Sequence, residues 1–191
     1  MHRNVLVFDF FGVICSEIAP DWFRRYFPPE VALRLKKEIV SPADTGEISE
    51  QDLFTQLGLL INSNPGQVQQ EWLELVHIDA SVVELLTELA PRFRLALLTN
   101  SPAPFVRRIM RTHELESRFE QIIVSSEQGI AKPDTQVFRL MLSRLGIGPE
   151  HAVMIDDNPA NVAAAASVGM TGLLFTSAQQ LRQAVLDLES V

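Results

Sequence analysis

The chain of 191 residues has a single cysteine, Cys15, so no intramolecular disulfide staples it, and a reducing compartment suits it. No apolar run is long enough to span a bilayer, which argues against a membrane-spanning segment. Positive charge is scarce. Against 24 Asp and Glu stand 16 Lys and Arg, and the net charge of −8 argues against nucleic acid or an anionic membrane as partner. A small positive pocket stays compatible with that balance, because a site is local and net charge is not. The histidines His2, His77, His113 and His151 lack metal-ligand spacing and read as structural or exposed. There is no internal repeat, low-complexity tract or long charge run. The first strand begins almost at once after Met1, which leaves no room for a signal peptide and sets the expectation of a cytoplasmic protein.

What is present is an ordinary globular balance, 47% hydrophobic and 21% charged, sufficient for one sizeable core and a small insertion. Short, nearly continuous apolar runs at Val5–Asp9, Arg94–Thr99, Gln121–Ser125, Ala152–Asp156 and Thr171–Phe175 read as strands buried on both faces. Helical patterns separate them. Phe105–His113 places Val106, Ile109 and Met110 at helical spacing. Thr135–Leu145 carries an apolar stripe and stops at Gly146, and Asn158–Val168 opens on Asn-Pro and closes at Gly169. Strands alternating with helices predict an α/β fold: a Rossmann-like, parallel five-stranded sheet flanked by helices.

Between the first strand and its crossover helix, Ser81–Leu89, the pattern changes. Residues 17–78 show no convincing strand and predict an inserted α-helical cap, leaving 1–16 and 79–191 as the core. Within the insertion Pro28-Pro29 opens a helix to about Val40, and a break is expected over Ser41-Pro42-Ala43-Asp44-Thr45-Gly46. Ser49 with Asp52 forms a capping box, and Asn64-Pro65-Gly66 marks another break. An insertion at the carboxyl end of a strand overlies whatever site is there, as a lid does.

Polar groups follow the strands at that same edge, where open α/β sheets place their ligands. Asp9 ends the first strand; Thr99-Asn100-Ser101 end the second; Ala131-Lys132-Pro133-Asp134 follow the third; Asp156-Asp157 end the fourth. Clustered oxygen donors on a rigid edge suit a hard cation such as Mg²⁺, which usually accompanies phosphate. Together they match the demands of phosphoryl transfer, in which positioning and charge neutralisation dominate. Asp9 would attack phosphorus, Thr99 would hydrogen-bond a phosphoryl oxygen, and Lys132 would add positive charge.

Asp9-x-Phe11-Gly12-Val13, Thr99-Asn100, Lys132-Pro133-Asp134 and Asp156-Asp157, in that order, resemble the four motifs of the haloacid dehalogenase-like hydrolases. The resemblance spans the chain and implies a small helical cap, Mg²⁺ and hydrolysis of small phosphorylated metabolites by a monomer or homodimer. By similarity Asp9 is the nucleophile and, with the Phe11 backbone carbonyl, a metal ligand. Asp157 is then a direct ligand, Asp156 a ligand or its supporting partner, and Thr99, Asn100 and Lys132 the phosphate-binding groups. Thr45-Gly46-Glu47-Ile48-Ser49 and the run from Asp156 to Asn161 resemble the sugar-1-phosphate phosphatase-like and epoxide hydrolase N-terminal-like branches.

One position departs from the pattern. Phosphatases of this family commonly carry a second Asp two residues after the nucleophile, as general acid and base; here the residue is Phe11. Its carbonyl can still bind a metal, but its side chain transfers no proton, and loss of a positioned acid/base removes ~10²–10⁴-fold of rate. That leaves a good leaving group, a substitute acid from the cap, or weak turnover. It also admits a metal-independent 2-haloacid dehalogenase, in which the paired Asp156 and Asp157 would be idle, or a phosphate-binding regulatory protein of low turnover. Other groups read as structural: Cys15 as core, Trp22, Phe23, Tyr26 and Phe27 mainly as the interior of the insertion, and Arg107, Arg108 and Arg111 as a solvated helix face.

Overall fold

The computed structural model describes residues 4–189, so His2 lies outside the described residues. Five parallel strands form one sheet in the order β3-β2-β1-β4-β5: β1 (Val5–Phe8), β2 (Arg94–Thr99), β3 (Gln121–Val124), β4 (Ala152–Asp156) and β5 (Thr171–Leu174). The predicted strands are all present, with β1, β3 and β5 ending one residue early. Alternation along the strands supplies two apolar faces. Leu6, Phe8, Leu95, Leu97, Val153 and Ile155 join one buried cluster, while Val5, Val7, Ala96, Leu98, Ala152 and Met154 join another.

The second face is covered by α8 (Thr135–Leu145) and α9 (Pro159–Ser167), through Val137, Phe138, Met141 and Ala165. The first is covered by α6 (Ala80–Leu89), α7 (Ala103–Thr112) and α10 (Ala178–Glu189). Helix α10 is an addition to the sequence reading. Ends fall where the chemistry dictates. Gly146 takes a left-handed φ of 66° after α8, and the Asn158 side chain caps α9 by accepting from the Ala160 N–H at 2.9 Å.

Every regular element between β1 and α6 is a helix: α1 (Ala19–Tyr26), α2 (Pro29–Leu35), a π turn (Lys36–Val40), α3 (Ser41–Asp44), α4 (Glu50–Ile61) and α5 (Pro65–Glu74). The capping box forms as expected, with the Asp52 N–H on Ser49 Oγ at 3.1 Å and the Ser49 N–H on Asp52 Oδ2 at 3.2 Å. The break expected from Ser41 is displaced to Gly46, because helix continues through Ser41-Pro42 to Asp44. The Ser41 N–H bonds the Lys36 carbonyl, an i→i+5 step, so the N–H that Pro42 lacks falls where the regular ladder is already interrupted. Trp22, Leu53 and Val68 of these helices join the same buried cluster as Leu6 and Phe8. No helix among the described residues is long and apolar enough to cross a membrane.

Candidate active site

Register brings the polar strand ends together. Phe8 pairs with Leu97 on one side and Ile155 on the other, and the Asp9 N–H donates to the Ile155 carbonyl at 2.9 Å, which sets Asp9 beside Asp156. The Lys132 ammonium lies between their carboxylates, 2.8 Å from Asp9 Oδ2 and 2.7 Å from Asp156 Oδ2. All three are buried. An isolated buried charge would be prohibitively costly, and this arrangement stands because each charge is paired and hydrogen-bonded. Burial pushes the Asp9 carboxyl well above the ordinary range; Lys132 opposes that shift and Asp156 adds to it. Burial alone would lower the Lys132 ammonium, but Asp9 and Asp156 outweigh it and hold it above the ordinary lysine range.

Asp156 is fully occupied. Its Oδ1 accepts from the Asn158 N–H at 2.9 Å and from Asn161 Nδ2 at 3.0 Å, and its Oδ2 accepts from Lys132 and from Asn161 Nδ2 at 3.1 Å. Asp157 is only half-buried and lines the cavity above the sheet edge. Burial, then repulsion from Asp156, raises its carboxyl. Asp9, Asp156 and Asp157 each offer one oxygen within 4.8 Å of one another, a hard donor set that fits Mg²⁺. Gly12 makes room for it. At φ +80°, it lies so close to Asp157 that a Cβ there would sit 2.3 Å from Asp157 Oδ2. The Phe11–Gly12 backbone is thereby held against that carboxylate.

The remaining predicted residues are placed unequally. Asn100 lines the cavity, but its amide is engaged by the backbone of Lys132: Oδ1 accepts from the Lys132 N–H at 2.9 Å and Nδ2 donates to its carbonyl at 2.8 Å. Its side chain thus fixes the lysine loop. Thr99 is fully buried at the end of β2, and its hydroxyl makes no hydrogen bond among the described residues. Phe11 lines the cavity and stacks on Phe105, with ring centroids 6.4 Å apart.

The cavity, of about 240 Å³, is roofed by the helical stretch. Glu17, Lys36, Ser41 and Asp44 form a polar wall, while Trp72, with Phe105 of α7, forms an apolar one. Sequence reasoning missed the roof groups, since their convergence depends on how separate helices dock. Asn161 had a visible signal, its place in the run from Asp156. Trp22 and Phe23 are buried in the helical interior as expected, and Cys15 is buried with its thiol pushed up to about 11. The arginine face is less solvated than expected. Arg107 pairs with Glu127 of the turn after β3 at 3.1 Å, and Arg108 with Glu50 of α4 at 2.7 Å, where the helical stretch packs against α7.

Comparison with known proteins extends these findings. A family profile for haloacid dehalogenase-like hydrolases matches residues 4–169. The chain is 29% identical over 150 residues to the sesquiterpene phosphatase astK of Aspergillus oryzae, covering 74% of this chain and 76% of the relative. It spans only 26% and 45% of the length of two other curated phosphatases. A structure described as a predicted HAD-like family hydrolase from Porphyromonas gingivalis superimposes with a TM-score of 0.79 at 26% identity, covering 97% of each chain. A HAD family enzyme from Bacteroides thetaiotaomicron, in complex with magnesium and inorganic phosphate, shares the fold with a TM-score of 0.76 at 19% identity, over 92% of this chain and 95% of that one.

Proposed function

This chain belongs to the haloacid dehalogenase-like hydrolases, and from that premise we propose that it is a Mg²⁺-dependent phosphohydrolase of small phosphorylated metabolites. The observation that carries the reading is the buried Lys132 ammonium bridging Asp9 and Asp156 beside Asp157, at the base of an enclosed cavity. In this reading Asp9 Oδ attacks phosphorus and the ester oxygen departs, leaving an aspartyl-phosphate that water then cleaves. Lys132 opposes the effect of burial on the Asp9 carboxylate and meets the phosphoryl oxygens. Thr99 Oγ and the backbone N–H of Asn100 donate to those oxygens. Asp9, Asp157 and the Phe11 carbonyl hold the metal, with Asp156 tying Lys132 and Asn161 into place. When bound, Mg²⁺ neutralises charge on the phosphoryl group and the carboxylates around it.

Residues 17–78 act as the cap over a core of 1–16 and 79–191. The two unlike walls of the cavity favour a substrate alcohol with one hydroxylated and one apolar face, as in a sugar phosphate. The test is phosphate release from sugar phosphates, nucleotides, an isoprenyl phosphate and an aryl phosphate, with Mg²⁺ and with chelator. Chelator-sensitive release, fastest on a sugar phosphate, is expected. Absence of release from every ester would overturn the reading, and preference for the isoprenyl ester would overturn the substrate class alone.

A further inference from the structure

An alkyl phosphate leaves as an alcohol only if a proton reaches its oxygen, and water attacks the aspartyl-phosphate faster if a base removes its proton. The carboxyl groups lining the cavity are Asp9, Glu17, Asp44 and Asp157. Asp9 is the nucleophile and Asp157 a metal ligand in the reading above, and Phe11 offers no proton. Glu17 and Asp44 remain.

Their settings differ. Glu17 faces Lys36, Asp157, Asp21 and Lys132. A cation held at Asp157 favours its ionised form, which cannot donate. Asp44 faces Lys36, Glu17 and Lys132. It is also fixed to the core where the chemistry occurs. Its backbone carbonyl accepts from Ser125 Oγ at 2.5 Å, and Ser125 Oγ in turn accepts from the Ser101 N–H at 3.0 Å. Two residues on, Gly46 at φ +79° lies against the loop after β3 so closely that a Cβ would sit 2.6 Å from the Ser126 carbonyl oxygen. The turn carrying Asp44 is therefore clamped to the loops after β2 and β3, the loops that also carry Asn100 and Lys132.

Building on the phosphohydrolase reading, we propose that Asp44, supplied by the helical insertion, is the catalytic acid and base that position 11 lacks. In the first step Asp9 bonds to phosphorus, the bond from phosphorus to the ester oxygen breaks, and that oxygen takes the Asp44 proton. In the second, the Asp44 carboxylate takes a proton from water as the oxygen of water bonds to phosphorus. The bond to Asp9 breaks, returning both carboxyl groups to their starting states. Burial independently pushes the Asp44 carboxyl up to about 7, against Lys36 and Lys132 and with help from Glu17, so both forms are accessible near neutral pH.

The experiment compares wild type and Asp44→Asn on an alkyl phosphate and on 4-nitrophenyl phosphate, with burst kinetics and thermal melting. Asp44→Asn should lose ~10²–10⁴-fold on the alkyl ester. On the aryl ester, which needs no proton to leave, it should release one equivalent of nitrophenolate rapidly and then turn over slowly as phosphoenzyme accumulates. Adding Phe11→Asp to Asp44→Asn should restore alkyl ester hydrolysis. An unchanged alkyl rate, an equal loss of burst and alkyl rate, or a loss confined to KM would each overturn the assignment. Should Asp44→Asn fail to fold, wild type alone still decides. Its alkyl phosphate rate should fall above pH about 7 relative to its aryl burst, and parallel profiles would overturn the proposal. Wild type inactive on all esters would instead overturn the phosphohydrolase reading itself.

Discussion

The floor and the roof of the cavity are held by different means. On the floor, the groups around Lys132 are fixed several times over: Asp156 accepts four hydrogen bonds, Lys132 bridges two carboxylates, and Asn100 grips the lysine backbone from both sides. In the roof, Lys36, Ser41 and Asp44 sit on one interrupted helix. The helical stretch meets the core through apolar packing and a few polar contacts, among them Ser125 on Asp44, Arg108 on Glu50, and Ser16 Oγ on the Leu75 carbonyl at 2.6 Å. A network in which each member has several partners keeps its geometry through a reaction, whereas a surface joined at a few points can shift as a unit. The division this implies is rigid chemistry below, joined by the Asp44 turn that Ser125 clamps to the core, and adaptable recognition over the rest of the roof.

The sharpest way to break it is at the floor. Asp9→Asn should reduce turnover by at least ~10⁴-fold while the protein still folds, because the amide cannot attack phosphorus yet occupies the same space. Steady-state phosphate release together with a thermal melt checks both halves of that statement. Retention of full activity would end the covalent mechanism. Next in size is Asp156→Ala. It removes one of the two carboxylates that Lys132 bridges and takes the acceptor from the Asn158 N–H and Asn161 Nδ2, so a stability loss of about 3–5 kcal/mol is expected, measured by denaturant unfolding. A loss below 1 kcal/mol would show the floor to be no better fixed than the roof.

Why the floor was legible in the sequence and the roof was not follows from the same contrast. Strand ends are placed by a sheet whose parallel register follows from buried runs such as Val5–Phe8 and Ala152–Asp156, so Asp9, Thr99, Lys132 and Asp156 declare their common edge locally. Helix stops at Gly146 and the cap at Ser49 are likewise local. Glu17 lies before α1, Lys36 and Asp44 on the interrupted helix that ends at Asp44, and Trp72 on α5; these segments converge only when helices dock, and no spacing rule spans them. The π turn at Lys36–Val40 carried no pattern that distinguishes it from ordinary helix, which is why helix through Pro42 was unexpected. Asn100 illustrates an intermediate case: its location was readable, but not that the Lys132 backbone would occupy its amide.

Gly12→Ala probes the seam where the floor is tightest. A left-handed φ and a Cβ driven to 2.3 Å from Asp157 Oδ2 both oppose the methyl group. Backbone strain of about 1–3 kcal/mol is expected in the melt. Because Asp157 must move, Mg²⁺ affinity measured by calorimetry should weaken as well. Wild-type metal affinity in this variant would place the metal away from Asp157.

The smallest expected effect lies at the roof. Arg108 reaches from α7 to Glu50 of α4 at 2.7 Å, while its guanidinium carbon sits 5.7 Å from the Phe105 ring centroid, and Phe105 lines the cavity. The Arg108 side chain is 40% exposed, so solvent screens the pair and Arg108→Ala should cost less than ~1 kcal/mol of stability. Glu50 also accepts from Gln69 Nε2 at 2.7 Å, so the carboxylate is not left bare. If the roof away from the clamped Asp44 turn only positions substrate, the variant should raise KM for a sugar phosphate while leaving the burst on an aryl phosphate intact. A drop in that burst as large as the change in KM would mean that disturbing the roof displaces Lys132 or Asp9, and that the two regions move as one.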